Sequence, residues 1–158
     1  MTIEIRRARA DEAGELTELC LRSKQSNGYD DAFMAACRDE LTITPDRLEE
    51  GEYWVAVSDS LCGCACLLVD QASKTGEVHA FFIDPACQRR GIGRRLWKKL
   101  LERAGDCGLS RLDLEADPFA VPFYQALGFR IVGEAPSGSI PGRMIPTMQL
   151  DLAPQPNP

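Results

Sequence analysis

No stretch of this chain is apolar for long enough to cross a membrane. The longest apolar run, near Leu61 to Val69, falls well short of the ~20 residues a spanning helix needs. The opening MTIEIRRARADE is too charged for a secretory signal. Surplus positive charge is also missing. A formal net charge of −6 argues against a general nucleic-acid binder, whose phosphate contacts need a basic surface, and suits a cationic substrate instead. The chain has no GxxxxGK[ST], which excludes a P-loop NTPase. The seven cysteines are odd in number and scattered, so they read as reduced thiols of a cytosolic protein rather than a disulfide framework. Cys62, Cys64 and Cys66 alternate. On a strand they would share one face as small packing residues, because an i, i+2, i+4 set matches none of the usual zinc spacings. No metal is expected. The expectation is therefore a soluble, cytoplasmic protein whose partners include neither membrane nor nucleic acid.

What is present centres on Glu77 to Leu101, EVHAFFIDPACQRRGIGRRLWKKLL. Val78 to Ile83 is apolar, aromatic and β-branched enough for a buried strand, and Asp84-Pro85 ends it because proline supplies no ladder donor. Beyond Gly91 and Gly93, residues Ile92, Leu96, Trp97, Leu100, Leu101 and Ala104 recur at helical spacing, with Arg94, Arg95, Lys98, Lys99 and Glu102 opposite. A helix start leaves N–H groups unpaired and carries partial positive charge, so glycines that let an anion reach the main chain make a phosphate site there. A dinucleotide fold would need a third glycine where the chain has Leu96, although Glu115 falls near the ~20-residue spacing of a ribose-binding acid.

QRRGIG at Gln88 to Gly93, following a strand and Asp-Pro, resembles the acetyl-CoA pyrophosphate loop of the Gcn5-related N-acetyltransferases, the GNAT superfamily. A second block, DPFAVPFYQALGF from Asp117 to Phe129, is similar to that family's short helix and return strand. Gly128 suits the left-handed position ending a helix, and Pro122 its first turn. The resemblance implies a mixed α/β (α+β) fold, with a mostly antiparallel twisted sheet of about seven strands flanked by about four helices. It implies acetyl-CoA as cosubstrate, with the pyrophosphate held by backbone from Gln88, Arg89, Arg90, Gly91, Ile92 and Gly93 to Arg94. The pantetheine arm would lie along Phe82 and Ile83, with Asp117 and Phe123 nearby; many members carry asparagine where this chain has Asp117. Tyr124 falls where the family often has a tyrosine near the CoA sulfur, and packing as a core aromatic is the alternative.

In chain order, Ile3 to Ile5 reads as a strand and Asp11 to Lys24 as a helix. Asp30 or Asp31 then caps a second helix with Phe33, Met34, Cys37 and Leu41 on one face. Pro45 to Gly51 reads as a turn-rich acidic connection. Tyr53 to Val57 and Leu61 to Val69 form a hairpin. Arg111 to Ala116 is a strand reached by a crossover, so it lies parallel to the strand ending at Ile83. Arg130 to Glu134 and Thr147 to Leu152 close the sheet around a Gly/Pro loop holding Ser137, Ser139, Arg143 and Met144. Residues 1–153 are expected to form one domain, and PQPNP at 154–158 a disordered tail. By the resemblance, the loop after the first helix borders the acceptor, which makes Ser23, Asn27, Tyr29 and Asp30 candidate contacts, with capping and turn chemistry as the alternative. Arg143 could anchor a carboxylate or simply be solvated.

An amine attacks a thioester only when neutral, whereas a lysine-like amine has a pKa near ~10.4, so a base is expected. Glu77 and His79, two apart on the central strand, point to one face; Glu115 and Asp117 are the fallbacks, and a β-bulge would change the parity. The backbone N–H of Ile83 is the candidate for stabilising the oxyanion. The leading reading is acetyl transfer to a primary amine of a small molecule or peptide. A non-catalytic acyl-CoA-binding or sensing module and a dinucleotide-binding oxidoreductase are the alternatives. Self-association as a homodimer is left open.

Overall fold

Five α-helices and seven strands form among residues 2–153, which the computed structural model describes; the tail expected to be disordered lies outside them. The order is β1 (Glu4–Arg7), α1 (Ala13–Gln25), α2 (Asp31–Leu41), α3 (Pro45–Glu50), β2 (Glu52–Val57), β3 (Leu61–Asp70), β4 (Thr75–Ile83), α4 (Ile92–Asp106), β5 (Arg111–Glu115), α5 (Val121–Ala126), β6 (Arg130–Pro136) and β7 (Met144–Asp151). The strands make one sheet in the order β1-β2-β3-β4-β5-β7-β6. Every neighbouring pair is antiparallel except β4 and β5, which α4 joins by a crossover. A dinucleotide fold needs a wound, mostly parallel sheet, so the oxidoreductase alternative falls on topology.

The sheet is packed on both faces. On one side α4 lays Ile92, Leu96, Trp97, Leu100 and Ala104 against Leu67, Val78, Leu112 and Met148. Leu96 and Leu100 are wholly buried, each worth about 1.5–3 kcal/mol. Leu101 was expected in that stripe but is 41% exposed, since it lies ~100° around the helix from Leu100. On the other side Leu16, Leu19 and Cys20 of α1 pack with Val55, Cys64 and Cys66.

Three further expectations are corrected. Most of the stretch expected as a turn, Pro45–Glu50, is a helix: the Thr44 side chain accepts the Arg47 N–H at 3.2 Å and proline occupies the first helical turn, which suits its missing donor. The three alternating cysteines do not share a face. The β2–β3 ladder shifts register beside Cys62, with Ala56 facing Gly63 and Val57 facing Leu61. This bulge sends Cys62 to the α4 side while Cys64 and Cys66 remain on the α1 side, as one unpaired residue must. Finally, β6 and β7 run longer than expected, pairing out to Pro136 and Met144.

Candidate active site

The loop between β4 and α4 is shaped by backbone rather than side chains. Asp84 caps the turn over Pro85–Cys87, accepting the Ala86 N–H at 3.0 Å, and Arg22 binds its other oxygen at 2.8 Å. Two left-handed residues follow, Arg89 (φ 69°) and Gly91 (φ 73°). Gly91 is the N-cap of α4 and offers no side chain to its first N–H groups. Left-handed residues ahead of a bare helix start suit a concavity of backbone N–H groups, an anion-binding nest. A Cβ at Gly91 would meet nothing within 4 Å, so an anion can reach the main chain there. Gln88, Arg89, Arg90 and Arg94 are exposed around it. Ile92 is 2% exposed, so only its backbone faces the loop. Gly93 serves packing as well, since a Cβ there would come within 3.3 Å of the Phe123 ring. These residues fit a pyrophosphate.

Upstream, β4 carries a bulge. Cys66 faces His79 and Cys64 faces Phe82, so β4 has one residue more than β3 between those pairs, and Ala80 adopts φ 48°. Glu77 and His79 both precede the bulge, so their shared face is preserved. His79 Nε2 lies 2.8 Å from Glu77 Oε2, and the side chains are 47% and 61% exposed. Beyond the bulge, Asp84 N–H donates to Cys62 at 2.8 Å and Phe82 pairs with Cys64. Antiparallel alternation therefore turns the Ile83 N–H away from β3. On that side β4 and β5 pair only from Thr75–Arg111 to Glu77–Asp113, and farther along they separate.

Tyr124, from α5, borders this separation. Its ring is 7% exposed and packs edge-on against Phe81, Phe123 and Phe129. Burial raises its pKa well above the ordinary value, so the phenol keeps its proton at neutral pH. Among the described residues its hydroxyl makes no hydrogen bond. Two cavities meet at this residue. The smaller, about 220 Å³, runs between Phe82, Ile83, Gln88 and Phe123 on one side and Ser23, Asn27 and Phe119 on the other. The larger, about 670 Å³, lies over the α1-side face of the sheet and includes Glu77 and His79. Tyr124, Phe81, Phe82, Ala120, Lys24 and Asp117 line both.

The larger cavity is acidic. Glu40, Glu50, Glu77, Asp113, Glu115 and Asp117 line it against Lys24, Arg47 and Arg143. Arg47 is used on the carbonyls of Glu40 and Thr42. Lys24 binds Asp117 at 3.0 Å and Arg143 donates to the Tyr29 hydroxyl at 2.8 Å, so no lining cation is free of a partner. Among the described residues the side chains of Glu50 and Glu115 make neither hydrogen bond nor ion pair, and that of Glu77 engages only His79.

The acceptor candidates divide. Asp30 accepts the Phe33 N–H at 2.8 Å as the N-cap of α2 and lines neither cavity, so capping accounts for it. Tyr29 donates to Asp117 and stacks on Phe33; burial, with the Asp117 carboxylate, pushes its pKa up to about 12. Arg143 lines the cavity with its guanidinium held by that phenol. Ser137 lines the larger cavity and Ser139 binds Glu40, while Met144 is exposed. Lys24, Phe119 and Asp113 escaped the sequence reading. Lys24 stands next to Ser23 but is brought to the site only by folding.

A helix start that fits a phosphate, a separating parallel pair and a buried phenol between two cavities suit an acyltransferase that uses acetyl-CoA. The chain belongs to the acetyltransferase (GNAT) family, whose model matches residues 15–129. It is 34% identical over 152 residues to the peptidyl-lysine N-acetyltransferase YjaB of Salmonella typhimurium, covering 95% of this chain and 98% of that protein. It is 30% identical to the Escherichia coli YjaB across 95% and 97%. The PaiA N-acetyltransferase of Thermoplasma acidophilum, solved in complex with coenzyme A, superposes with a TM-score of 0.78. That likeness covers 96% of this chain and 100% of that one at 18% identity. The protein is an acetyl-CoA-dependent N-acetyltransferase.

Proposed function

We propose that residues 1–153 act as one catalytic domain that acetylates a lysine-type primary amine, in a peptide or a small molecule. The observation that carries this is the acidic cavity meeting, at Tyr124, the groove that runs beside Phe82, Ile83 and Gln88. A cationic amine entering it is drawn toward Glu115, Glu50 and the Glu77–His79 pair, and all the lining cations are already engaged. The peptidyl-lysine activity named for the two YjaB relatives supports the peptide form. Seven free thiols and the absence, among the described residues, of a helix long and apolar enough to cross a membrane suit a cytoplasmic enzyme.

The residues supply each step. Acetyl-CoA brings an activated acyl carbon on a thiol leaving group. In the tautomer where Nε2–H donates to Glu77, His79 Nδ1 is free to accept the proton that the ammonium must lose. The Ile83 N–H, unused by β3, can stabilise the negative charge that develops on the carbonyl oxygen. Tyr124, protonated and at the junction, donates to the departing sulfur. The test is thiol release from acetyl-CoA with lysine peptides, polyamines, free amino acids and neutral amines. Release with lysine peptides or diamines above the others is expected; equal rates with acidic or hydrophobic amines would overturn the assignment.

A further inference from the structure

Asp117 does more than cap a turn. Its carboxylate accepts the Phe119 N–H at 2.9 Å, the Lys24 ammonium at 3.0 Å, and the Tyr29 hydroxyl at 2.9 and 3.1 Å. Arg143 donates to the Tyr29 oxygen at 2.8 Å and stands 3.8 Å from Asp117. The proton order is thus fixed: guanidinium to phenol, phenol to carboxylate. Tyr29 is stacked on Phe33 at 4.1 Å, with the Lys24 ammonium 5.4 Å from the Tyr29 ring and the Arg143 guanidinium 5.0 Å from that of Phe33. Side-chain exposures of 13% for Lys24, 15% for Asp117 and 20% for Arg143 make the cluster largely dry, where charge-assisted bonds count most.

The cluster ties together the end of α1 with the loop after it, the end of β5, and the β6–β7 loop. It forms part of the wall where the two cavities meet, since Lys24 and Asp117 line both. Only an ionised carboxylate can serve an ammonium, a phenol and an amide at once; an asparagine would turn two N–H donors toward donors already present. That is a physical reason for aspartate where the family resemblance leads one to expect asparagine. With its oxygens occupied in this way, Asp117 has little left to offer a pantetheine.

We propose that Asp117 is a positioning residue of the acetyl transfer, holding Lys24, Tyr29 and, through Tyr29, Arg143, so that Lys24 at the end of α1 and Ser137 and Arg143 at the β6–β7 loop form a fixed wall of the acceptor cavity. It rests on the reading above only in giving the larger cavity to the acceptor. Asp117→Asn should raise the acceptor KM about tenfold or more, the size of one lost charge-assisted bond. The acetyl-CoA KM, and kcat at saturating acceptor, should stay within about threefold. Tyr29→Phe, which keeps the stacked ring, should reproduce the effect, and the double variant should add little to either single one. Amide hydrogen exchange gives a readout that needs no acceptor. In Asp117→Asn, residues 24–30 and 137–143 should exchange faster while β4 and α4 keep their protection. Unchanged exchange in those two segments would overturn the proposal. So would a loss confined to the acetyl-CoA KM, which would make Asp117 a cofactor ligand. If the wild type acetylated no amine at all, the functional reading would fall and exchange would still decide this one.

Discussion

Tyr124→Phe separates chemistry from packing. The ring lies 5.4 Å from Phe123, 5.6 Å from Phe129 and 6.1 Å from Phe81 between centroids, and phenylalanine keeps all three contacts. Since the hydroxyl has no hydrogen-bond partner among the described residues, its removal orphans nothing, and the stability change should stay below about 1 kcal/mol. Removing the ring with Tyr124→Ala should instead cost about 3–5 kcal/mol. The catalytic loss has another origin. Burial keeps the phenol protonated, so it can protonate or hydrogen-bond the sulfur as charge builds there, a contribution of about 10²–10⁴ in rate, or ~3–5.5 kcal/mol of barrier. Steady-state thiol release at saturating acceptor should therefore fall by that factor, with thermal unfolding and the calorimetric Kd for CoA nearly unchanged. A Phe variant turning over within about twofold of the parent would refute the general-acid role and leave Tyr124 as a core aromatic.

Gly91→Val forces a β-branched residue into φ 73°, a conformation costing about 1–2 kcal/mol. Because the space around it is open, calorimetry should show weaker CoA binding with the α4 core intact; an unchanged Kd would place the phosphates elsewhere. His79→Gln should lower kcat/KM by about 10²-fold at neutral pH. The loss should shrink as the assay pH approaches the acceptor's own pKa; a loss constant with pH would assign His79 to binding instead. On the acid side, the Arg6 guanidinium lowers the Glu12 carboxyl, and at Asp117 burial works upward but is overruled by the Phe119 N–H, Lys24 and Tyr29. Both folded values lie below the unfolded ones. The stability they give is complete above about pH 4–5 and lost as pH falls through the folded values, so the Tm should drop there, and less steeply in Asp117→Asn. A Tm rising on acidification would contradict the pairing.

What could be read from the chain is what local chemistry fixes. The strand, Asp-Pro stop, glycine turn and amphipathic α4 are consecutive, and each follows from residues a few positions away. The short helix ending at Gly128, which adopts φ 106°, is legible for the same reason. α3 was missed although Thr44-Pro45 is a helix-start signal, because six residues leave too little periodicity to outweigh the turn-like composition. Leu101 was misplaced by the width of the stripe, not by its period.

The acceptor side resists such reading for a physical reason. Its residues are chosen by sheet parity and by contacts between distant segments. The bulge at Ala80 occurs at an alanine with a positive φ, and no glycine or proline announces it, yet it decides whether residues beyond it face the cavity or the core. Glu77 and His79 keep a common face only because both precede it. Lys24 and Asp117 are separated by 93 positions, and Tyr29 and Arg143 by 114, so no window of sequence contains their ion pair and hydrogen bond. A backbone nest can be recognised from six residues because backbone geometry is local. A cluster built from segments as far apart as Lys24, Asp117 and Arg143 depends on the whole topology, which no short window of sequence contains.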